Sequence, residues 1–151
     1  MRLRSVFLIF ALGFSSIHAS GIALDASLGA ISPRSSLTDA NLDFAGHLWY
    51  KFDQMLFLGV GSGIQTMGSD RHFPLLGSLE LRLPFGGQVL PIATGDIGAN
   101  IGDDPQYVWR AGGGFDIKNG DRTSILLLAG YQSFHKLGGH IYARAGLLLE
   151  F

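Results

Sequence analysis

The sequence predicts an all-β chain, an eight-stranded antiparallel up-and-down transmembrane β-barrel. Three observations predict it. The last nine residues place Ala143, Ala145, Leu147, Leu149 and Phe151 on one face and Arg144, Gly146 and Glu150 on the other. That is the period of two expected of a strand whose faces meet different surroundings. The mean hydropathy is positive, yet beyond the N-terminal segment there is no uninterrupted apolar run of the length a spanning helix needs, about 18 residues or more. The longest uncharged stretch in mid-chain, Gln54 to Ser69, is broken by Gly59, Gly61, Gly63 and Gly68. Lastly, eight strand-like segments can be read along the chain, an even number and the smallest common membrane barrel.

The front of the chain reads as an export leader. Arg2 and Arg4 form a short basic region, Val6 to Phe14 an apolar one, and Ile17-His18-Ala19 a cleavage site before Ser20. The apolar run is shorter than the roughly 20 residues of a spanning helix. The expected organisation is therefore a signal peptide over 1–19 and one domain over 20–151. Without Arg2 and Arg4 the domain has 9 Lys and Arg against 12 Asp and Glu, a net charge of −3. No concentrated basic surface speaks for nucleic acid. The absence of cysteine excludes disulfides and thiolate metal sites. Stability must then come from elsewhere, and a closed barrel in lipid provides it by pairing every backbone group.

The strands are expected at Ile22–Ile31, Asn41–Phe52, Met55–Met67, Phe73–Leu83, Gln88–Asn100, Gln106–Ile117, Thr123–Phe134 and His140–Phe151. Tight turns at Asp53-Gln54, Pro84 to Gly87 and Lys118 to Asp121 join alternate pairs; Asn119-Gly120 is a two-residue hairpin signal. The other four connections are Ser32–Ala40, Gly68–His72, Ile101–Pro105 and His135–Gly139. The fifth strand, with Pro91, Thr94 and Asp96, does not alternate cleanly and is a candidate for a bulge.

Parity sorts the side chains. One face collects Leu24, Leu48, Val60, Leu79, Trp109 and Leu127, among others, and is assigned to lipid. Aromatic residues near strand ends suggest two girdles: Phe52, Phe57, Phe85, Phe115 and Phe151 at one rim, and Phe73, Tyr107, Trp109, Tyr131 and Tyr142 at the other. The opposite parity carries Asp25, Asp43, Glu80, Asp116 and Glu150 with Lys51, Arg82, Arg110 and Arg144. Buried charges persist when paired and hydrogen-bonded, so these nine residues are expected to form an ion-pair network in the lumen. Glycines on the same face (Gly59, Gly61, Gly63, Gly112, Gly114, Gly130 and Gly146) make room for long arginine side chains. An eight-stranded barrel has an interior that side chains just fill, which argues against a wide pore. Replacing Arg110 or Arg144 with Leu is then expected to strand lumenal carboxylates.

Few residues suggest chemistry. Ser133 and His135, two apart, place a hydroxyl and an imidazole together as a candidate nucleophile and base. Small eight-stranded lipid A 3-O-deacylases are similar in setting, with a His-x-Ser motif and a Glu on a neighbouring strand. Laid on Gly130-Tyr131-Gln132-Ser133, that motif matches at Ser133 and departs at Tyr131, where the family has His. Glu150 faces the lumen by parity and does not supply the acid. No catalytic residue is therefore assigned beyond the candidates Ser133 and His135. Asp96, Asp103 and Asp104 gather oxygen ligands of the kind hard cations prefer and are read at the outer rim, but their spacing fits an ordinary solvated turn. No metal site or cofactor is assigned.

The whole domain resembles the broad class of small outer-membrane β-barrels to which the OmpA membrane domain and OmpX belong. The leader, the dyad strands, the aromatic residues and the C-terminal Phe151 carry the resemblance. It implies the outer membrane of a Gram-negative bacterium after export through the periplasm, with both termini and the three tight turns on the periplasmic side. It also implies lipid and lipopolysaccharide as surroundings and a barrel-assembly machinery that reads Phe151. A monomer is favoured. The four outward connections are short for an adhesin or receptor. The expected role is structural or surface-interacting without catalysis; the alternatives are a lipid A-modifying enzyme and a soluble lipocalin-like binding barrel.

Overall fold

The computed structural model describes residues 21–83, 85, 87–101 and 105–151; the expected leader lies outside them. Eight strands follow in order: β1 (Gly21–Pro33), β2 (Asn41–Lys51), β3 (Leu56–Met67), β4 (Asp70–Arg82), β5 (Val89–Ile101), β6 (Gln106–Lys118), β7 (Thr123–Phe134) and β8 (Gly138–Glu150). Each pairs antiparallel with the next, and β8 pairs with β1 from Ala23↔Glu150 to Pro33↔His140, closing the barrel. Closure leaves no strand edge unpaired. At the seam the Phe151 N–H donates to the Ile22 carbonyl at 2.8 Å, so the last residue still serves the ladder.

Both ends of the described chain lie at one end of the barrel, here the near end, together with the connections 52–55, 83–88 and 119–122. Asp53 holds the first, its Oδ1 accepting from the Met55 and Leu56 N–H groups at 2.6 and 2.8 Å. The Asn119-Gly120 turn is longer than the expected two-residue loop. It spans four residues, closed by Asn119 N–H to the Thr123 carbonyl at 2.9 Å and by Thr123 Oγ1 to the Asn119 carbonyl at 3.0 Å. At the far end lie 34–40, 68–69 and 135–137, together with the end of β5 at Ile101 and the start of β6 at Gln106. The second of these is shorter than the expected 68–72. Met67 pairs with Asp70, and Gly68 at φ +64 takes the left-handed turn between them.

The fifth strand carries no bulge. Its register is continuous against β4 from Arg82↔Ile92 to Phe73↔Ile101, and against β6 from Val89↔Ile117 to Asn100↔Gln106. The interruption lies between β3 and β4. Pairing runs from Leu56↔Leu81 to Ser62↔Leu75, skips two positions, and resumes at Gln65↔His72. Pro74, which has no N–H to give, sits in the gap.

Burial is inverted relative to a water-soluble domain. Leucines such as Leu24, Leu48, Leu75 and Leu147 are exposed on the outer face, while Asp43, Glu80, Arg82, Arg110 and Asp116 are buried within. Inside, one apolar cluster joins Ala23, Trp49, Phe57, Ile92, Leu126 and Leu148 in the near half. A second joins Leu76, Val108 and Phe134, with Met67 against them, at the far end. Two residues assigned to the aromatic girdles belong to the interior. Phe57 is 0% exposed and Tyr142 1%. Both have inward parity, which decides their place over nearness to a strand end.

Candidate functional site

Polar chemistry in this molecule concentrates in the lumen, because alternation on eight strands points every second side chain there. In the near half, Arg82 is the hub. Its Nε donates to Glu80 Oε1 at 2.8 Å, and its Nη1 meets Asp116 Oδ2 at 2.8 Å and Glu150 Oε1 at 2.9 Å. Glu150 also receives Lys51 Nζ and, at 2.9 Å, Lys118 Nζ. Lys118 lies 3.8 Å from Asp116 as well. Three carboxylates thus meet three cations. Phe57 forms the floor of this cluster, its ring centroid 3.8 Å from the Arg82 guanidinium carbon and 5.7 Å from Lys51 Nζ. Lys118, which the sequence analysis places in a turn, belongs to this site. Its spacing two residues after Asp116 on β6 was the signal that it points the same way.

In the middle of the lumen, Asp25 accepts from the His47 ring at 3.0 Å and from Trp49 Nε1 at 2.5 Å. The His47 ring occupies the place a Cβ on Gly61 would take, and Tyr142 that of a Cβ on Gly112. Glycines therefore make room chiefly for rings rather than for arginines. Gly29, packed against Arg144, is the exception.

Farther along, the network relies on amides. Gln65 Nε2 donates to Asp43 Oδ1 at 2.9 Å, and Gln65 and Gln132 exchange hydrogen bonds at 2.9 and 3.0 Å across the lumen. Arg110 Nε donates to Gln132 Oε1 at 2.6 Å. Arg144 Nε lies 3.4 Å from Asp43 Oδ2, and its guanidinium rests over the Tyr142 ring at 4.5 Å. Arg110 has no acceptor for Nη1 or Nη2, and Arg144 none for Nη1. Removing Arg110 would therefore break no ion pair, contrary to the expectation that it holds a carboxylate directly.

Asp96 is not at an outer rim. It stands on the inner face of β5, 7% exposed, opposite Arg110 in the ladder. Unbroken pairing carries it inward, a consequence the Pro91 and Thr94 context concealed. Asp103 and Asp104 lie outside the described residues. Among the described residues, no group of three His, Asp or Glu side chains is arranged to hold a metal ion.

Ser133 sits on the outer face near the far end of β7, facing Trp109 and Gly139 in the ladders on either side. His135 lies exposed in the following turn, where its backbone N–H donates to the Tyr107 carbonyl at 3.1 Å. No hydrogen bond joins the two side chains. Glu150 is at the opposite end of the barrel, held by Lys51, Arg82 and Lys118. Among the described residues no hydrogen bond gives the Ser133 hydroxyl an oriented base or a carboxylate, the parts a nucleophile requires.

No family model matches the chain, and no curated protein is similar to it in sequence. Solved structures are similar in fold. Neisserial surface protein A (NspA) superposes with a TM-score of 0.71 at 12% identity, covering 89% of this chain and 99% of that one. The N-terminal β-barrel domain of Pseudomonas aeruginosa OprF gives 0.60 at 12% identity, over 85% and 97% of the two chains. The outer membrane enzyme PagL gives 0.56 at 14% identity, over 85% and 99%. The chain therefore has the closed eight-stranded antiparallel fold of these small barrels.

Proposed function

We propose that the chain is an integral outer-membrane β-barrel protein with a structural or surface-interacting role, surrounded by lipid and lipopolysaccharide. The observation that carries this reading is the inverted burial: apolar side chains clothe the outer wall, and the lumenal charged ones are enclosed, most of them in ion pairs. Water would reward the opposite arrangement, as in a soluble lipocalin-like barrel, whereas hydrocarbon rewards this one. The near end, with the termini and tight turns, faces the periplasm. The leader over 1–19 directs export, and the assembly machinery reads Phe151, exposed at the end of β8. In this reading the chain acts as a monomer and its role is not catalytic. The structural likeness to NspA, the OprF domain and PagL supports the membrane setting and leaves the role open, because one fold serves several functions.

The test is the gel mobility of membrane-extracted protein, boiled against unboiled, together with the lipid A of expressing cells. A faster unboiled band from the membrane fraction with unchanged lipid A is the expected outcome. A soluble periplasmic product overturns the membrane reading. Deacylated lipid A that reverts on Ser133→Ala overturns the non-enzymatic one.

A further inference from the structure

Between the two polar groups of the lumen lies a small cavity of about 10 Å³, lined by Asp25, Glu80, Thr94, Asp96, Leu128 and Arg144 among others. Its polar walls are unequally satisfied. Asp25 is engaged by His47 and Trp49, and Glu80 by Arg82. Among the described residues Asp96 has neither a hydrogen bond nor an ion pair, although it is 7% exposed and opens onto the cavity. Arg144, 5% exposed, faces the same space with Nε and Nη1 lacking hydrogen-bond acceptors. A carboxylate without hydrogen-bond donors and a guanidinium whose Nη1 has no acceptor, and whose Nε reaches Asp43 only at 3.4 Å, thus share one volume.

Buried polar groups left this way are costly, and each calls for a partner. The partner must accept from a guanidinium and donate to a carboxylate at once. A bare metal ion has nothing to offer Arg144, and a simple anion would be repelled by three carboxylates. Water does both, and a polar cavity of about 10 Å³ has room for one molecule of it. We infer that the cavity is a hydration site in which water joins Asp96 of β5 to Arg144 of β8, completing an ion pair across the lumen that the side chains do not reach directly. The site ties opposite walls of the barrel at mid-height, between the Arg82 cluster and the Gln65–Gln132 pair.

Hydroxyl-radical footprinting of the refolded barrel in ¹⁸O-water tests this, because radicals made from bound water label the side chains beside it. Leu128 lines the cavity, whereas Leu126, two residues away on the same face and 1% exposed, packs in the apolar cluster and serves as an internal control. Strong ¹⁸O labelling of Leu128 over Leu126 is expected. It should persist in Asp96→Asn, which still hydrogen-bonds, and be lost in Asp96→Leu, which fills the space with an alkyl group. Equal, weak labelling of Leu126 and Leu128 in the unaltered protein overturns the proposal, and this comparison stands even if Asp96→Leu does not fold. Undiminished labelling in a folded Asp96→Leu barrel also overturns it, as does a crystal structure with an ion instead of water between Asp96 and Arg144.

Discussion

The near half of the lumen and its middle are built from the same kinds of residue and solve the problem of buried charge differently. Around Arg82, the even-numbered strands bring Lys51, Glu80, Arg82, Asp116, Lys118 and Glu150 to one level. The odd-numbered strands contribute Ala23, Phe57, Ile92 and Leu126 there. Charges from four walls converge, and each carboxylate finds a cation within 4 Å. Farther along, Arg144 reaches Asp43 at 3.4 Å, while Arg110 is linked to it only through the amides of Gln132 and Gln65. Arg110 meets only Gln132, and Asp96 turns away to the cavity. The contrast teaches that parity decides which side chains enter the barrel, while height and reach decide whether they pair.

The comparison can be broken by substitution, with stability read as the urea midpoint of refolding in detergent. The largest effect is expected for Arg82→Leu. It strips Glu80 of its only cation and leaves Asp116 and Glu150 to the lysines, a loss of about 3–5 kcal/mol by the cost of opening a buried pair. Gly61→Ala should cost about 1–3 kcal/mol, because the new methyl group displaces the His47 ring from Asp25. The smallest effect is expected for Arg110→Met, within about 1 kcal/mol, since a guanidinium with one hydrogen bond and no ion pair is exchanged for apolar volume. Equal losses for Arg110→Met and Arg82→Leu would erase the distinction between the two regions.

Much of this architecture is legible in the sequence, because a barrel strand repeats every two residues and all eight strands obey the same rule. Strand order, closure and the inward set around Arg82 follow from parity alone. The readings that fail are those that set parity aside. Nearness to strand ends puts Phe57 and Tyr142 in girdles, and the Asn119-Gly120 signal draws Lys118 into a turn. Asp96 groups with Asp103 and Asp104 in sequence because Pro91 and Thr94 disturb the hydrophobic pattern of β5 without disturbing its ladder. What parity cannot supply is the pairing itself. That Arg110 prefers Gln132 to the Asp96 opposite it depends on rotamers and neighbouring volume, which alternation does not encode. At the candidate Ser133–His135 pair, spacing in sequence says little about geometry, because one residue closes a strand and the other sits in a turn.

The gap in the ladder at Pro74 divides the wall into unequal parts. Beyond it, three pairs (Gln65↔His72, Thr66↔Arg71 and Met67↔Asp70) and a two-residue turn form a small tab. This tab is fastened sideways to β2, through Leu42 N–H to Thr66 Oγ1 at 2.9 Å and Gly68 N–H to Asn41 Oδ1 at 3.1 Å. Its underside carries Met67, which rests on the Leu76, Val108 and Phe134 cluster. The tab is thus held to the barrel by β2 on one side and by Met67 beneath, so the lateral pairs missing beside Pro74 are made up for by side-chain contacts at the far mouth.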